Sequence, residues 1–227
     1  MKKSDHDIRV DFHCHTRYSK DSLNNIPYIL NMCRRRGVDR VVITDHNTIQ
    51  GALMAQQLDP ERVIVGEEIK TTKGELLAVY VTEEIPAGLS PVETISLLRS
   101  QGAFISVSHP FDLGRSGHWD VDDLLEITPL VDAIEIFNAR CIRAIYNTHA
   151  QDFARQHNLL GTAGSDAHCL MEIGKATLRL PPFQDCATLK QSLQHARLQA
   201  TLSAPWVHFS SRYAVWRKSM QIPPSSP

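Results

Sequence analysis

No apolar run in the chain approaches the ~20 residues that a membrane helix needs, so no membrane partner is expected. The opening stretch MKKSDHDIRVDF carries two lysines but no apolar core, so it does not read as a secretory signal. A surplus of one charge is missing too. Lys and Arg number 24 against 25 Asp and Glu, so no global field argues for nucleic acid or against it. The five cysteines (Cys14, Cys33, Cys141, Cys169 and Cys186) are scattered and form no CxxC pair. That argues against a disulfide framework and fits a reduced, cytoplasmic chain. The first strand-like run ends without a glycine, which excludes a dinucleotide-binding turn. G-x-S-x-G and P-loop motifs are absent, as are repeats of fixed period.

What is present is an alternation. Short runs rich in Val and Ile occur at Ile8–Phe12, Arg40–Thr44, Arg62–Val65, Leu76–Val81, Ala103–Val107, Ala133–Phe137 and Leu159–Ala163. They read as strands buried on both faces. Amphipathic stretches lie between them at Pro27–Arg36, Ser90–Gln101, Ile142–His157 and Thr188–His195. Ser90-Pro91 is a cap followed by proline at the first helical position. In Ile142–His157 the spacing by four of Ile145, His149 and Phe153 suggests one face. This rhythm predicts an α/β fold with a largely parallel sheet, and seven such units suggest a barrel. The segment after Pro205 reads as packed chain followed by a frayed end.

Polar residues collect where the strands end: His13-Cys14-His15, Asp45-His46, Glu67-Glu68, His109, Asn138-Ala139-Arg140 and Asp166-Ala167-His168. In a barrel those ends converge on one face, where active sites sit. Residues two apart on a strand share a side, so His13 and His15 point together and Cys14 points away. A buried group of imidazoles and carboxylates is costly unless something pairs it, and a metal is the simplest partner. The other histidines (His6, His118, His149, His157, His195 and His208) lie in helical, loop or tail contexts and read as ordinary surface or core residues.

The stretches DFHCHTRYSKDS, VVITDHNTI, VIVGEEIKTTKGELL, ISVSHPFD, IEIFNAR and TAGSDAH, in this order, resemble the PHP (polymerase and histidinol phosphatase) family of metal-dependent phosphoesterases. The resemblance implies a distorted, TIM-like (β/α)7 barrel over residues 1–205, with 206–227 as a C-terminal extension. It implies two or three divalent ions at the C-terminal ends of the strands: manganese, iron or zinc, with magnesium a further candidate. His13 and His15 would hold one ion with Glu68 and Asp166. Glu68 would bridge to a second ion bound by His109. Asp21, His46 and His168 would hold a third. Glu75 stands where many members have histidine, and the substitution of oxygen for nitrogen favours manganese, magnesium or iron over zinc.

The implied chemistry is hydrolysis of a phosphomonoester or small nucleotide phosphoester by a metal-activated hydroxide. Arg17 and Arg140 are the candidate phosphate clamps, Lys70 could reach the same side, and Asn138 could orient substrate. Asp45 reads as a group holding an imidazole or passing a proton, with His46 and His168 able to take the second role. An alternative is an exonuclease or ribonuclease acting on an oligonucleotide end, with Trp119, Arg115, Trp206 and Arg212 as a binding track. A non-catalytic metal-binding module and an amidohydrolase-type carbon–nitrogen hydrolase are further alternatives. The sequence leaves the oligomeric state open.

Overall fold

A computed structural model describes residues 7–220. His6 and the end expected to fray beyond Met220 lie outside the described residues. Nine strands occur among them: β1 (Ile8–Cys14), β2 (Arg40–Ile43), β3 (Val63–Lys70), β4 (Glu75–Val79), β5 (Phe104–Val107), β6 (Ala133–Asn138), β7 (Leu160–Gly164), β8 (Ala176–Leu180) and β9 (Arg197–Ala200). The helices are α1 (Ile26–Arg36), α2 (Gln50–Leu58), α3 (Pro91–Ser100), α4 (Val121–Ile127), α5 (Ala144–Gln156), α6 (Cys186–Leu193) and α7 (Val207–Ser219). The strands form one sheet in the order β7-β6-β5-β4-β3-β2-β1-β8-β9.

β1 to β7 make the expected distorted barrel. The chain leaving β7 meets β1, where Asp166 N–H donates to His13 O at 2.7 Å and His15 N–H to Ala167 O at 3.1 Å. Those bonds close the barrel only at its mouth. Further down, β8 takes that edge of β1, pairing antiparallel along Ile8–Val10. Leu189 and Leu193 of α6 join Phe12, Phe104 and Phe183 in the interior cluster there.

The sheet is less parallel than the sequence suggested. β4 runs antiparallel to both β3 and β5, and β8 runs antiparallel to both β1 and β9. Only residues 71–74 separate β3 from β4, too few for the crossover that parallel pairing requires. The turn has a consequence for the site: Glu75, at the start of β4, pairs with Lys70 at the end of β3 and so lies at the mouth.

α1 buries Ile26, Ile29, Leu30 and Cys33 and stops at Gly37, whose φ of 63° is easy only for glycine. α3 is capped by Ser90 in a reciprocal box with Glu93. In α5 the buried stripe is Asn147, Ala150, Phe153 and Ala154. Of the three residues spaced by four only Phe153 is in that stripe; Ile145 is exposed, and His149 is exposed and meets Phe111 edge-on.

Candidate metal centre

The ligand-bearing side chains reach the barrel interior through local breaks in regularity. β1 shifts register between Asp11 and Cys14. Val10 and Phe12 belong to the interior cluster, whereas Cys14 belongs to the outer one beneath the helices. The shift changes the parity and turns His13 and His15 inward above Phe12. β6 shifts between Glu135 and Phe137, and both Glu135 and Asn138 then face the centre. On β3 the alternation is regular and separates the two glutamates. Glu68 faces inward, while Glu67 faces out and accepts from Ile85 N–H. Burial pushes the Glu67 carboxyl up to about 8. Asp166 adopts a left-handed conformation, φ 52°, a strained state for a non-glycine residue.

Three overlapping groups of donors result: His13, His15 and Glu68; Glu68, Glu75 and His109; and His15, His46 and His168. His15 reaches two of the groups but offers them one ring nitrogen, since its other nitrogen bonds Ser19. Asp166 Oδ1 lies 3.2 Å from His15 Nε2 and 3.6 Å from His13 Nε2. Asp21 Oδ2 lies 3.2 Å from His168 Nε2 and 3.6 Å from His46 Nε2. Glu68 Oε2 lies 3.0 Å from His46 Nδ1 and 3.3 Å from His13 Nε2. Yet Glu68 Oε2 and Asp166 Oδ1 are buried and make no hydrogen bond of proper geometry. These donors aim at common points rather than at one another, as a set built for divalent cations does.

The surrounding contacts fix the imidazole tautomers. Glu135 Oε1 can only accept, so at 3.0 Å it holds the proton of His13 on Nδ1. Ser19 gives its hydroxyl proton to Asp45 (2.7 Å), so it accepts from His15 Nδ1 at 3.0 Å. The carbonyl of Asp166 accepts from His168 Nδ1 at 2.8 Å. Each ring thereby turns Nε2 inward, and the Nε2 atoms of His13 and His15 stand 3.0 Å apart. Two lone pairs at that distance repel unless a positive charge lies beside them. In the metal-free chain protons supply it. Burial opposes charge on His13, but Glu68, Asp166 and Glu135 outweigh it and raise its pKa well above the ordinary value. Burial, with His168 and His46 alongside, keeps His15 neutral. Burial likewise opposes charge on Glu68 and Asp166; His13 and His46 beside Glu68, and Arg115 and His13 beside Asp166, hold both carboxylates well below their usual range.

Above the donors opens a cavity of about 520 Å³ walled by Lys20, Lys70, Arg115, Arg140, His208 and Lys218, among others. Of the residues expected to bind substrate, Lys70 and Arg140 are in this wall. Arg140 is held there by Glu172 (3.0 Å) and by Ser211. Arg17 is not in the wall; it is exposed, and its guanidinium lies 5.8 Å from the Tyr18 ring. Asn138 is fully buried below the cavity and donates to Glu135 and Asp166, so it positions carboxylates. Asp45 touches no imidazole nitrogen. It accepts from both N–H and hydroxyl of Thr16 and Ser19, shaping the loop that follows the paired histidines.

Four residues of the site lay outside the sequence reading: Glu135, Ser108, Glu172 and Lys218. Arg115 was read only as part of an oligonucleotide track and His208 as an ordinary histidine. Ser108 donates to Glu68 Oε1 at 2.7 Å. Arg115 pairs with Asp112 (3.1 Å) and Asp166 (2.5 Å). Glu135 alone had a visible signal, an acid in the middle of an apolar strand. Trp119 is buried, its indole N–H on Glu75 O, and does not face a ligand.

The sequence profile described as "PHP domain" matches residues 11–89, and that described as "PHP-associated" matches 144–195. An uncharacterized protein of Methanocaldococcus jannaschii is 35% identical over 175 residues, 76% of this chain and 70% of that protein. Among solved structures, a two-domain protein from Bacteroides vulgatus, titled as containing a "predicted PHP-like metal-dependent phosphoesterase", has a TM-score of 0.69 at 16% identity. The match covers 88% of this chain and 68% of that one. A protein from Chromobacterium violaceum, titled an amidohydrolase with bound sulfate and no metal, has a TM-score of 0.59 at 15% identity, over 84% of this chain and 97% of that one. At such identities the two structures show the fold alone. No helix among the described residues is long and apolar enough to cross a membrane.

Proposed function

This chain belongs to the PHP family of metal-dependent phosphoesterases, and from that premise we propose that it hydrolyses a phosphomonoester or a small nucleotide phosphoester. The supporting observation is the pair of buried, unpartnered carboxylate oxygens, Glu68 Oε2 and Asp166 Oδ1, beside His46 and His168, which form the floor of a cavity walled by lysine and arginine. Such a floor suits divalent cations, and such a wall suits the phosphoryl oxygens that share them.

His13, His15, Glu68 and Asp166 would hold one ion, Glu68, Glu75 and His109 a second, and Asp21, His46 and His168 a third. Glu75 adds oxygen to the second group and favours manganese, iron or magnesium there. Bound ions supply an activated water and neutralise charge on the attacking and leaving oxygens. Arg140, held by Glu172, and the exposed Lys20 and Lys70 bind the remaining phosphoryl oxygens. His46 lies at the open end of the centre. Burial opposes its charge, but Glu68 and Asp21 outweigh it and raise its pKa above the ordinary imidazole value in the metal-free chain. It is the group placed to give a proton to a leaving oxygen when no third ion is bound.

An oligonucleotide track loses two of its four expected members, because Trp119 is buried and Arg115 is paired with two carboxylates. A carbon–nitrogen hydrolase of the amidohydrolase type would want a lysine at a strand end inside the centre. Lys70, at the end of β3, instead turns out to the rim, toward Ser116. The test is p-nitrophenol release from p-nitrophenyl phosphate with manganese, run beside a 5′-phosphorylated oligonucleotide. His13→Ala and Asp166→Ala should each reduce turnover by at least about 100-fold. Wild-type turnover in both variants would exclude this reading. Activity confined to the oligonucleotide and falling steeply with salt would favour the nuclease.

A further inference from the structure

A helix that packs only to bury apolar surface turns its aromatic stripe inward. α7 does the reverse. Its covered stripe is Val207, His208, Ser211, Ala214 and Lys218, one helical face by spacing, and only Val207 and Ala214 in it are fully buried. Phe209, Tyr213 and Trp216 stand on the opposite face, in solvent. The helix forgoes most of the apolar burial open to it.

The inverted orientation makes contacts at the mouth. Arg140 Nη2 donates to Ser211 Oγ at 2.9 Å. Lys218 Nζ donates to Arg17 O at 2.6 Å and to Ser19 O. An ammonium has three N–H donors, and two are used here. The third is available to the cavity, whose wall Lys218 and His208 share with Arg140. Between Ser211 and Lys218 the helix runs about 10 Å along the rim, from the β6 end to the β1 loop. Both matched segments, 11–89 and 144–195, end short of α7. What the helix adds is therefore not part of what those profiles describe.

We propose that α7 is a specificity wall, in which Lys218 and the Ser211–Arg140 pair hold the anionic end of a small substrate and the helix bars longer ones. The inference rests on the phosphoester reading given above. Lys218 acts as a specificity-determining residue, and Ser211 as a positioning residue acting through Arg140. A polymer strand entering from the α7 side would have to cross the helix to reach His168 and Asp21, which line the same cavity.

The full-length Lys218→Met and Ser211→Ala proteins test this. KM for p-nitrophenyl phosphate should rise about 10-fold in Lys218→Met, with kcat changing by less than about 3-fold. Ser211→Ala should shift in the same direction. Both should gain activity on a 5′-phosphorylated trinucleotide relative to the small ester. Equal effects on short and long substrates, or none, overturn the wall. Hydrogen exchange of 207–219 in the manganese-loaded protein gives a readout independent of turnover. Inorganic phosphate should slow it in wild type and not in Lys218→Met. Exchange indifferent to phosphate overturns the inference even if ester hydrolysis is found. Phosphate-dependent exchange in a protein that cleaves no ester would sink the phosphoesterase reading and retain the wall.

Discussion

Glu135 stands in the middle of an otherwise apolar strand, where a carboxylate without partners would be costly. Its partners explain it: His13 Nδ1 at 3.0 Å, His109 N–H at 2.9 Å and Asn138 Nδ2 at 3.0 Å. A carboxylate accepts from all three, whereas an amide must turn its NH₂ toward at least one donor. Glu135→Gln should therefore weaken manganese binding by about 10–100-fold, measured by competition with a chelator. An unchanged affinity would make Glu135 a strut with no hold on His13. At this scale the sequence was most legible where spacing carries meaning. His13 and His15 lie two apart at a strand end, and parity alone turns them together. Arg115, Glu172, His208 and Lys218 carry no such mark, because loops and a late helix bring them in from positions that no periodicity connects. Arg17 shows the converse: two residues from a ligand, it faces away because the tight turn after His15 has no strand periodicity.

Two glycines separate structural from functional roles at the scale of elements. A Cβ on Gly164 of β7 would lie 2.1 Å from His13 Cβ and 2.8 Å from His13 N, so β1 itself would have to move. A Cβ on Gly117 would instead meet the far end of the Glu75 side chain, at 1.8 Å from Oε2, which can swing aside. Gly164→Ala should lower stability by roughly 3 kcal/mol or more in urea titrations. Gly117→Ala should leave the unfolding midpoint nearly unchanged and weaken one manganese site. Equal destabilisation by both would contradict this division. β1 to β7 were readable from runs rich in apolar residues, Val and Ile above all. β8 was not, because Ala-Thr-Leu-Arg-Leu is largely buried but holds no Val or Ile. β9 was not, because Arg197, Leu198 and Gln199 are exposed and the apolar signature is missing. The register shifts in β1 and β6 were also invisible, since a one-residue break leaves composition untouched.

Across the whole molecule, the barrel closes through the same segments that carry the ligands, residues 13–15 and 164–168. Metal binding is therefore coupled to closure, and ions that bind only the folded state add stability. Protons are the competitors. Because the His13 and His46 pKa values are raised in the metal-free fold, their stabilisation is complete below the unfolded value of about 6.5 and is lost as pH climbs through the folded values. The metal-free melting temperature should fall over that range, while the gain from manganese grows as the imidazoles become available. At 100 times Kd the gain is about 2.7 kcal/mol, or roughly 5–10 °C for a chain of this size. Calorimetry with manganese or EDTA from about pH 6 to 8.5 checks the trend, and a gain that shrinks with pH would contradict it.

The outward face of α7 has an optical consequence. The chain has three tryptophans. Trp119 is sealed in the core, whereas Trp206, just before α7, and Trp216, within it, are about half exposed. Red-shifted emission and quenching by acrylamide should therefore report chiefly on this helix, while Trp119 contributes a blue-shifted, unquenched background. The protein carries its own unlabelled fluorophores at the edge of its mouth, and the movements of that edge can be followed in solution by light alone.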